Sequence, residues 1–192
     1  MTNSGFTLME TLIAVLLLST AIVGPLTIAS KGLTTTLVAK NQITAFYLAQ
    51  DAIEQIRFLR DSNCLASSDT CTVDLWLAEL GLWDGSAWAG VCFSASGCHF
   101  DSLGLHPTQA TVCDVAGCPV LYYDKMAKQF TYLDGRSEST TLAPTTARFV
   151  RTVKITNTTP DEAVVTVTVS WSDIAGVTRV PITMRENIYL WQ

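Results

Sequence analysis

The sequence predicts an α+β chain: a long N-terminal helix packed on a C-terminal antiparallel β-sheet. Three observations predict it. An apolar run from Phe6 to Ala29 holds one charged residue, Glu10, in twenty-four. A second stretch, Leu33 to Leu59, has no proline and repeats apolar residues at steps of three and four. From Val120 onward, apolar and polar residues alternate with period two over several short segments.

At ~1.5 Å per residue, a helix over the apolar run spans roughly 36 Å, enough to cross a ~30 Å hydrocarbon core with some tilt. This run raises the mean hydropathy of the 192-residue chain to +0.31, with 15% charged residues. An ordinary secretory signal has a basic n-region, a short apolar core and a small-residue cleavage site after it. Met1 to Gly5 contains no Lys or Arg, and the apolar run is longer than such a core. Residues 6–30 therefore read as a membrane-spanning or otherwise apolar-packed helix. Gly24-Pro25 lies inside it. Proline removes a backbone hydrogen bond and clashes with the preceding turn, which predicts a kink or a melted turn there.

The next element, residues 31–61, continues the helix in amphipathic form. Val38, Ala45, Ala49, Ala52, Ile56 and Leu59 form an apolar stripe, while Tyr47, Gln50, Asp51, Glu54 and Arg57 fall mostly elsewhere. Such a face packs on a sheet. Glu54 and Arg57 are spaced for a modest surface pair. Arg60-Asp61-Ser62-Asn63 reads as the helix end.

Residues 62–119 are rich in Ser, Gly, Asp and Cys, with Trp76, Trp83 and Trp88 interspersed. Val73 to Leu80 predicts a short helix ended by Gly81. All six cysteines, Cys64, Cys71, Cys92, Cys98, Cys113 and Cys118, fall in this stretch. An even number on one side of an apolar span points to an oxidising, extracytoplasmic compartment and up to three disulfides. Sequential pairing closes three small loops, but six cysteines admit fifteen connectivities, so the pairing stays open. Structural zinc is the competing reading, because His99 adjoins Cys98. The chain has no C-x2-C pair, and His106 is followed by proline, so disulfides are expected and no metal.

Residues 120–192 predict the sheet. Val120 to Tyr123 and Gln129 to Leu133 flank a turn around Asp124-Lys125. Phe149, Val153 and Ile155 alternate with Val150, Thr152 and Lys154. A turn at Asn157 to Asp161 leads into Val165, Val167, Val169 and Trp171 on one face and Thr166, Thr168 and Ser170 on the other. A further turn at Ser172 to Gly176 precedes a strand from Val177 to Arg185, where Pro181 marks an edge or a bulge. The result is an antiparallel meander with one face for the amphipathic helix to cover.

A net charge of −5 and the absence of any basic run argue against a nucleic-acid partner. No G-x-S-x-G or glycine-rich phosphate loop is present, and the acids are scattered without a helix-face pair suited to acid–base work, so the chain is not expected to be an enzyme or to carry a cofactor.

The stretch Gly5-Phe6-Thr7-Leu8-Met9-Glu10-Thr11-Leu12-Ile13-Ala14-Val15 resembles the N-terminal signal of type IV pilins and type II secretion pseudopilins. That resemblance implies a leader of residues 1–5, cleavage by a prepilin peptidase between Gly5 and Phe6, and N-methylation of Phe6. It makes Glu10, the fifth mature residue, the acid of the motif, and it implies the pilin fold, the architecture the periodicities also predict. It further implies that the helix can unwind near Gly24 and Pro25 in a filament. Val164 to Trp191 looks like the corresponding region of V-type minor pilins and I-type pseudopilins. The implied partners are the peptidase, other pilin or pseudopilin subunits, the inner-membrane assembly machinery, and the lipid bilayer before assembly. Lys31 beyond the span leaves the positive-inside rule undecided. The cysteines favour a single-pass protein with its C-terminal domain outside the cytoplasm, in a periplasmic or extracellular filament after assembly. A carboxylate buried in a water-free helical bundle needs a partner, and the Phe6 amine of a neighbouring subunit can supply one for Glu10. The expected role is a minor pilin or pseudopilin. The alternative is a tip adhesin or ligand-binding pilin that uses the Cys-rich loops.

Overall fold

The computed structural model describes residues 5, 7–66, 71–72, 75–78, 80–83, 88–100, 110–124, 129–132, 147–172 and 176–190. Helix α1, Leu8–Ala66, is 59 residues long. The chain divides into two compact units, Met1–Lys40 and Asn41–Gln192, and α1 contributes to both.

In the second unit, Ala45, Leu48, Ala49, Ala52, Ile53, Ile56 and Leu59 of α1 are buried. These are the expected stripe from Ala45 onward, joined by Leu48 and Ile53 in the same rows of three and four. The helix runs on through Asp61-Ser62-Asn63 to Ala66 rather than ending there. Weak helix formers cost only a few tenths of a kcal/mol each. Arg60 donates to the Tyr189 carbonyl (3.2 Å), and the Cys64–Cys71 disulfide ties down the last turn.

The middle of the chain contributes to the core instead of only decorating it. Trp76, Leu77 and Leu80 are fully buried. Turn bonds from Leu75 N and Trp76 N to the Thr72 carbonyl, and from Leu80 N and Gly81 N to that of Leu77, shape this segment. The expected helix from Val73 to Leu80 falls partly on residues outside the described set. Strands β1 (Leu82–Trp83) and β2 (Trp88–Ala89) pair antiparallel, and a 3-10 turn follows at Val91–Phe93. Strands β3 (Cys98–His99) and β4 (Thr111–Val112) pair next, with His99 opposite Thr111.

The main sheet is antiparallel and has seven strands among the described residues. Strands β5 (Val120–Asp124) and β6 (Gln129–Thr131) form the expected hairpin. Strands β7 (Arg148–Thr159), β8 (Glu162–Ser172) and β9 (Ile182–Tyr189) form the meander. On its other side β7 meets β5 through Val120↔Val150 and β3 through Cys98↔Val153. Gly97 makes the second crossing feasible. Its φ is 76°, and a Cβ there would lie 2.7 Å from the Val153 carbonyl oxygen.

The alternations emerge as read. Phe149, Val153 and Ile155 of β7, and Val165, Val167, Val169 and Trp171 of β8, are buried with the α1 stripe in one core. Two boundaries differ. Strand β7 continues past Asn157 to Thr159, through a register shift, and turns only at Pro160-Asp161. The last strand begins at Ile182, not Val177. Pro181 has no N–H to give a ladder, so regular pairing starts just after it. Before it, Thr178 makes one bridge to Ser172, and Arg179 N donates to the Trp171 carbonyl at 3.0 Å. Among the described residues β9 pairs only with β8, as an edge strand bearing Pro181 should.

One charged side chain lies in this core. Arg151, on the buried register of β7, is 1% exposed. It donates to the Leu48 carbonyl (3.2 Å), to Asp51 Oδ2 (2.7 Å) and to the Phe100 carbonyl (2.9 Å). Its guanidinium carbon sits 5.5 Å from the Phe100 ring centre. The sequence reading passed over Arg151, although its place between Phe149 and Val153 put it on the core face. Near the end of the helix, Arg57 binds Glu186 of β9 and Glu54. Bonding to Glu186 raises its pKa most, and the charges of Glu186 and Glu54 add to this against partial desolvation.

Candidate functional site

Two places collect the residues that the sequence singled out: the start of α1 in the first unit, and the disulfide-bearing segments of the second.

At the start of α1, Thr7 stands just before the first helical residue, and Glu10 occupies the first turn. Glu10 N donates to the Thr7 carbonyl (3.1 Å) and to Thr7 Oγ1 (3.3 Å). Thr7 is thus the N-cap and Glu10 the third helical residue, the T-x-x-E spacing of a capping box. The signal for it in the sequence is Thr7-x-x-Glu10 just ahead of the apolar run. The Glu10 carboxylate also lies where the helix dipole favours negative charge. Gly5 is exposed, and a Cβ there would meet nothing within 4 Å. Among the described residues, no packing calls for glycine at this position. Phe6 lies outside the described residues.

From Leu8 to Ala29 every residue of the helix is exposed, including Leu12, Leu16, Ile22 and Leu26. The helix is long and apolar enough to cross a membrane, by length and composition. The hydroxyls in this stretch turn back on their own helix. Thr11 donates to Leu8 O (2.8 Å), Ser19 to Val15 O (2.7 Å), Thr20 to Leu16 O (3.1 Å) and Thr27 to Gly24 O (2.7 Å). Hydroxyls satisfied this way present mostly carbon to the surroundings. Glu10 alone adds charge.

The helix is continuous through Gly24 and Pro25, so the turn there is helical and not melted. Pro25 lacks only its own bond to the Ala21 carbonyl, and the bonds on either side carry the helix past it.

The six cysteines pair sequentially as Cys64–Cys71, Cys92–Cys98 and Cys113–Cys118. Three disulfides fit a domain that folds in an oxidising, extracytoplasmic compartment. His99 does not stand beside a free thiol, since none is free. Its Nδ1 lies 3.9 Å from Cys113 Sγ, and its ring 4.8 Å from that of Tyr132. The other histidine, His106, lies outside the described residues.

No protein-family model, curated protein or solved structure matches the chain.

Proposed function

We propose that the chain is a minor pilin or pseudopilin, a structural subunit of a type IV pilus-like filament. A prepilin peptidase cuts it after Gly5 and methylates Phe6. Glu10 then pairs with the N-terminal amine of a neighbouring subunit and sets the register of assembly. Before assembly the N-terminal helix lies in the bilayer, with the disulfide-bonded domain outside the cytoplasm. Its partners are the peptidase, other pilin-type subunits and the inner-membrane assembly machinery.

One observation supports this reading above the rest: a lone carboxylate in the first turn of a helix whose next nineteen residues, to Ala29, are exposed and uncharged. A carboxylate in an apolar span costs a few kcal/mol, less near the interface. Capping and the helix dipole return only about 0.3–1 kcal/mol. Local structure therefore does not offset the cost, and an external cation does. The amine released at Phe6 is that cation, five residues into the chain's own sequence. The glycine at position 5, which no packing among the described residues requires, is what a peptidase subsite needs when it rejects a side chain.

The test co-expresses the full chain with a prepilin peptidase and an assembly system, and weighs its N-terminus by mass spectrometry. The expected product begins at N-methyl Phe6. A Gly5→Leu variant should persist as precursor. Glu10→Gln should be inserted and cleaved normally but be depleted from sheared filaments. Retention of Met1 in the presence of active peptidase overturns the processing step. Normal filament entry of Glu10→Gln overturns the pairing.

A further inference from the structure

In the second unit, the ring nitrogens of His99 and the sulfurs of Cys113 and Cys118 place one donor atom each within 4.8 Å of one another. No other three His, Cys, Asp or Glu donors group in this way among the described residues. Both sulfurs are buried, in residues 2% and 8% exposed. Backbone pairing builds the group. His99 faces Thr111 across β3 and β4, and the Cys113 N–H continues the ladder to the Gly97 carbonyl at 3.0 Å. Cys113, two residues beyond Thr111, therefore shares a face with His99 as its diagonal neighbour. Cys118 returns by a turn with bonds of its own: Ala116 N to Asp114 Oδ1 (2.8 Å) and Gly117 N to Asp114 O (3.1 Å), with Gly117 at φ 113°. These bonds hold the turn alongside the S–S bond.

We propose that opening the Cys113–Cys118 disulfide turns His99, Cys113 and Cys118 into a three-ligand site for Zn²⁺. Tetrahedral zinc, with bonds of about 2.3 Å to sulfur and 2.0–2.1 Å to nitrogen, holds an S···N pair about 3.6 Å apart and an S···S pair about 3.8 Å apart. The His99 Nδ1 to Cys113 Sγ distance is already 3.9 Å. The two sulfurs have to separate, and Cys118 Sγ, which lies with the other donors within 4.8 Å, has to settle at the same reach of the imidazole, both by side-chain rotation; the fourth position is left to water. The Tyr132 ring lies beside the imidazole, its centre 4.8 Å away and its plane tilted by 58°. The Cys64–Cys71 and Cys92–Cys98 pairs have no comparable third donor among the described residues.

The chemistry balances. A phosphine reductant takes up the oxygen of one water, delivering two electrons and two protons to the disulfide as two thiols. Zinc then displaces both thiol protons and accepts the neutral imidazole. The dithiol is also the form in which the chain leaves the ribosome, before any oxidant reaches it. Zinc bound then would hold β3, β4 and the turn in place ahead of disulfide closure. The site does not depend on the filament reading.

The experiment uses the full chain in detergent micelles, reduced anaerobically with tris(2-carboxyethyl)phosphine and titrated with Zn²⁺ against a chromophoric chelator. Alkylation and mass spectrometry then report which cysteines the metal protects. The expected result is one Zn²⁺ per reduced chain and none per oxidised chain, with Cys113 and Cys118 protected. His99→Gln should bind at least tenfold more weakly, and its Co²⁺ form should lose the visible bands of tetrahedral N/S coordination. Protection of another cysteine pair, or unchanged affinity in His99→Gln, overturns the proposal. So does a reduced chain that loses its β-sheet dichroism and binds no zinc.

Discussion

The pairing of Arg151 with Asp51 predicts an unusual order of damage. The Arg151 side chain is 2% exposed and that of Asp51 is 40% exposed. Asp51→Ala removes the one anion paired with this buried guanidinium among the described residues. Two carbonyls and two aromatic faces stay behind. Breaking a buried pair from one side costs about 3–5 kcal/mol, and the partial wetting of Asp51 points to the lower end, about 3. Alanine's better helix propensity returns at most about 0.7 kcal/mol. Arg151→Met is milder. It keeps most of the stem volume and lets Asp51 return to water. The Leu48 carbonyl still serves the helix, so the main loss is the bond to Phe100 O, about 1–2 kcal/mol. Deleting the exposed partner should thus hurt more than deleting the buried one. In a unit of this size about 1 kcal/mol moves Tm by about 2–4 °C. Thermal unfolding of the disulfide-intact chain in detergent, followed by circular dichroism, should show Asp51→Ala falling by about 5–10 °C and Arg151→Met by about 2–8 °C. The double variant should resemble Arg151→Met alone. If Arg151→Met proves clearly the less stable of the two singles, the reasoning is wrong.

Three further outcomes are expected. Gly97→Ala should lower Tm by several degrees, because a left-handed φ costs a side chain about 1–2 kcal/mol and its Cβ meets the Val153 carbonyl; an unchanged Tm would contradict the crossing of β3 over β7. A thiol assay in urea without reductant should find no reactive cysteine and, after reduction, six; free thiols in the first measurement would break the pairing. Arg57→Gln should cost under about 1 kcal/mol and less in high salt, since the Arg57 side chain is 40% exposed and that of Glu186 29%. Its raised pKa means the contribution is whole below arginine's ordinary value and fades only as pH rises through that strongly alkaline range. Urea titrations of wild type and Arg57→Gln should therefore differ by a constant amount from about pH 6 to 10, and a difference that changes within that window would refute the assignment.

The two units were legible in the sequence for different reasons. In the second, burial is one-sided, so periodicity alone located the α1 stripe and the inner faces of β7 and β8. Its misses have a common cause, which is that the partner decides them. Ile182 starts β9 because Pro181 cannot join the ladder to β8. The helix outlasts Asp61-Ser62-Asn63 because Cys64 finds Cys71. Trp76 enters the core because the turn at Thr72 folds it under. Arg151 was readable by a stricter use of the same rule: a cation on the Phe149 and Val153 register must meet an acceptor, and Asp51 stands beside the buried stripe.

In the first unit periodicity has nothing to grip, since the residues from Leu8 to Ala29 are apolar on every face and exposed on every face. An amphipathic helix declares the surface it packs on; a helix apolar all round declares only that water is not its solvent. The local rules nevertheless say more than composition does. Thr11, Ser19, Thr20 and Thr27 bind their own helix, which removes their need for outside partners. Backbone groups are satisfied by the helix itself, apart from the carbonyl facing Pro25 and the ends. What the proposed function asks of the surroundings is therefore short: hydrocarbon along the length, from lipid or from other helices, and one cation near the start. A bilayer alone supplies the first, and a bundle of identical or related helices with free N-termini supplies both. On the proposed function, that difference makes Glu10, more than the length of the helix, the residue that would separate a filament subunit from a simple membrane anchor.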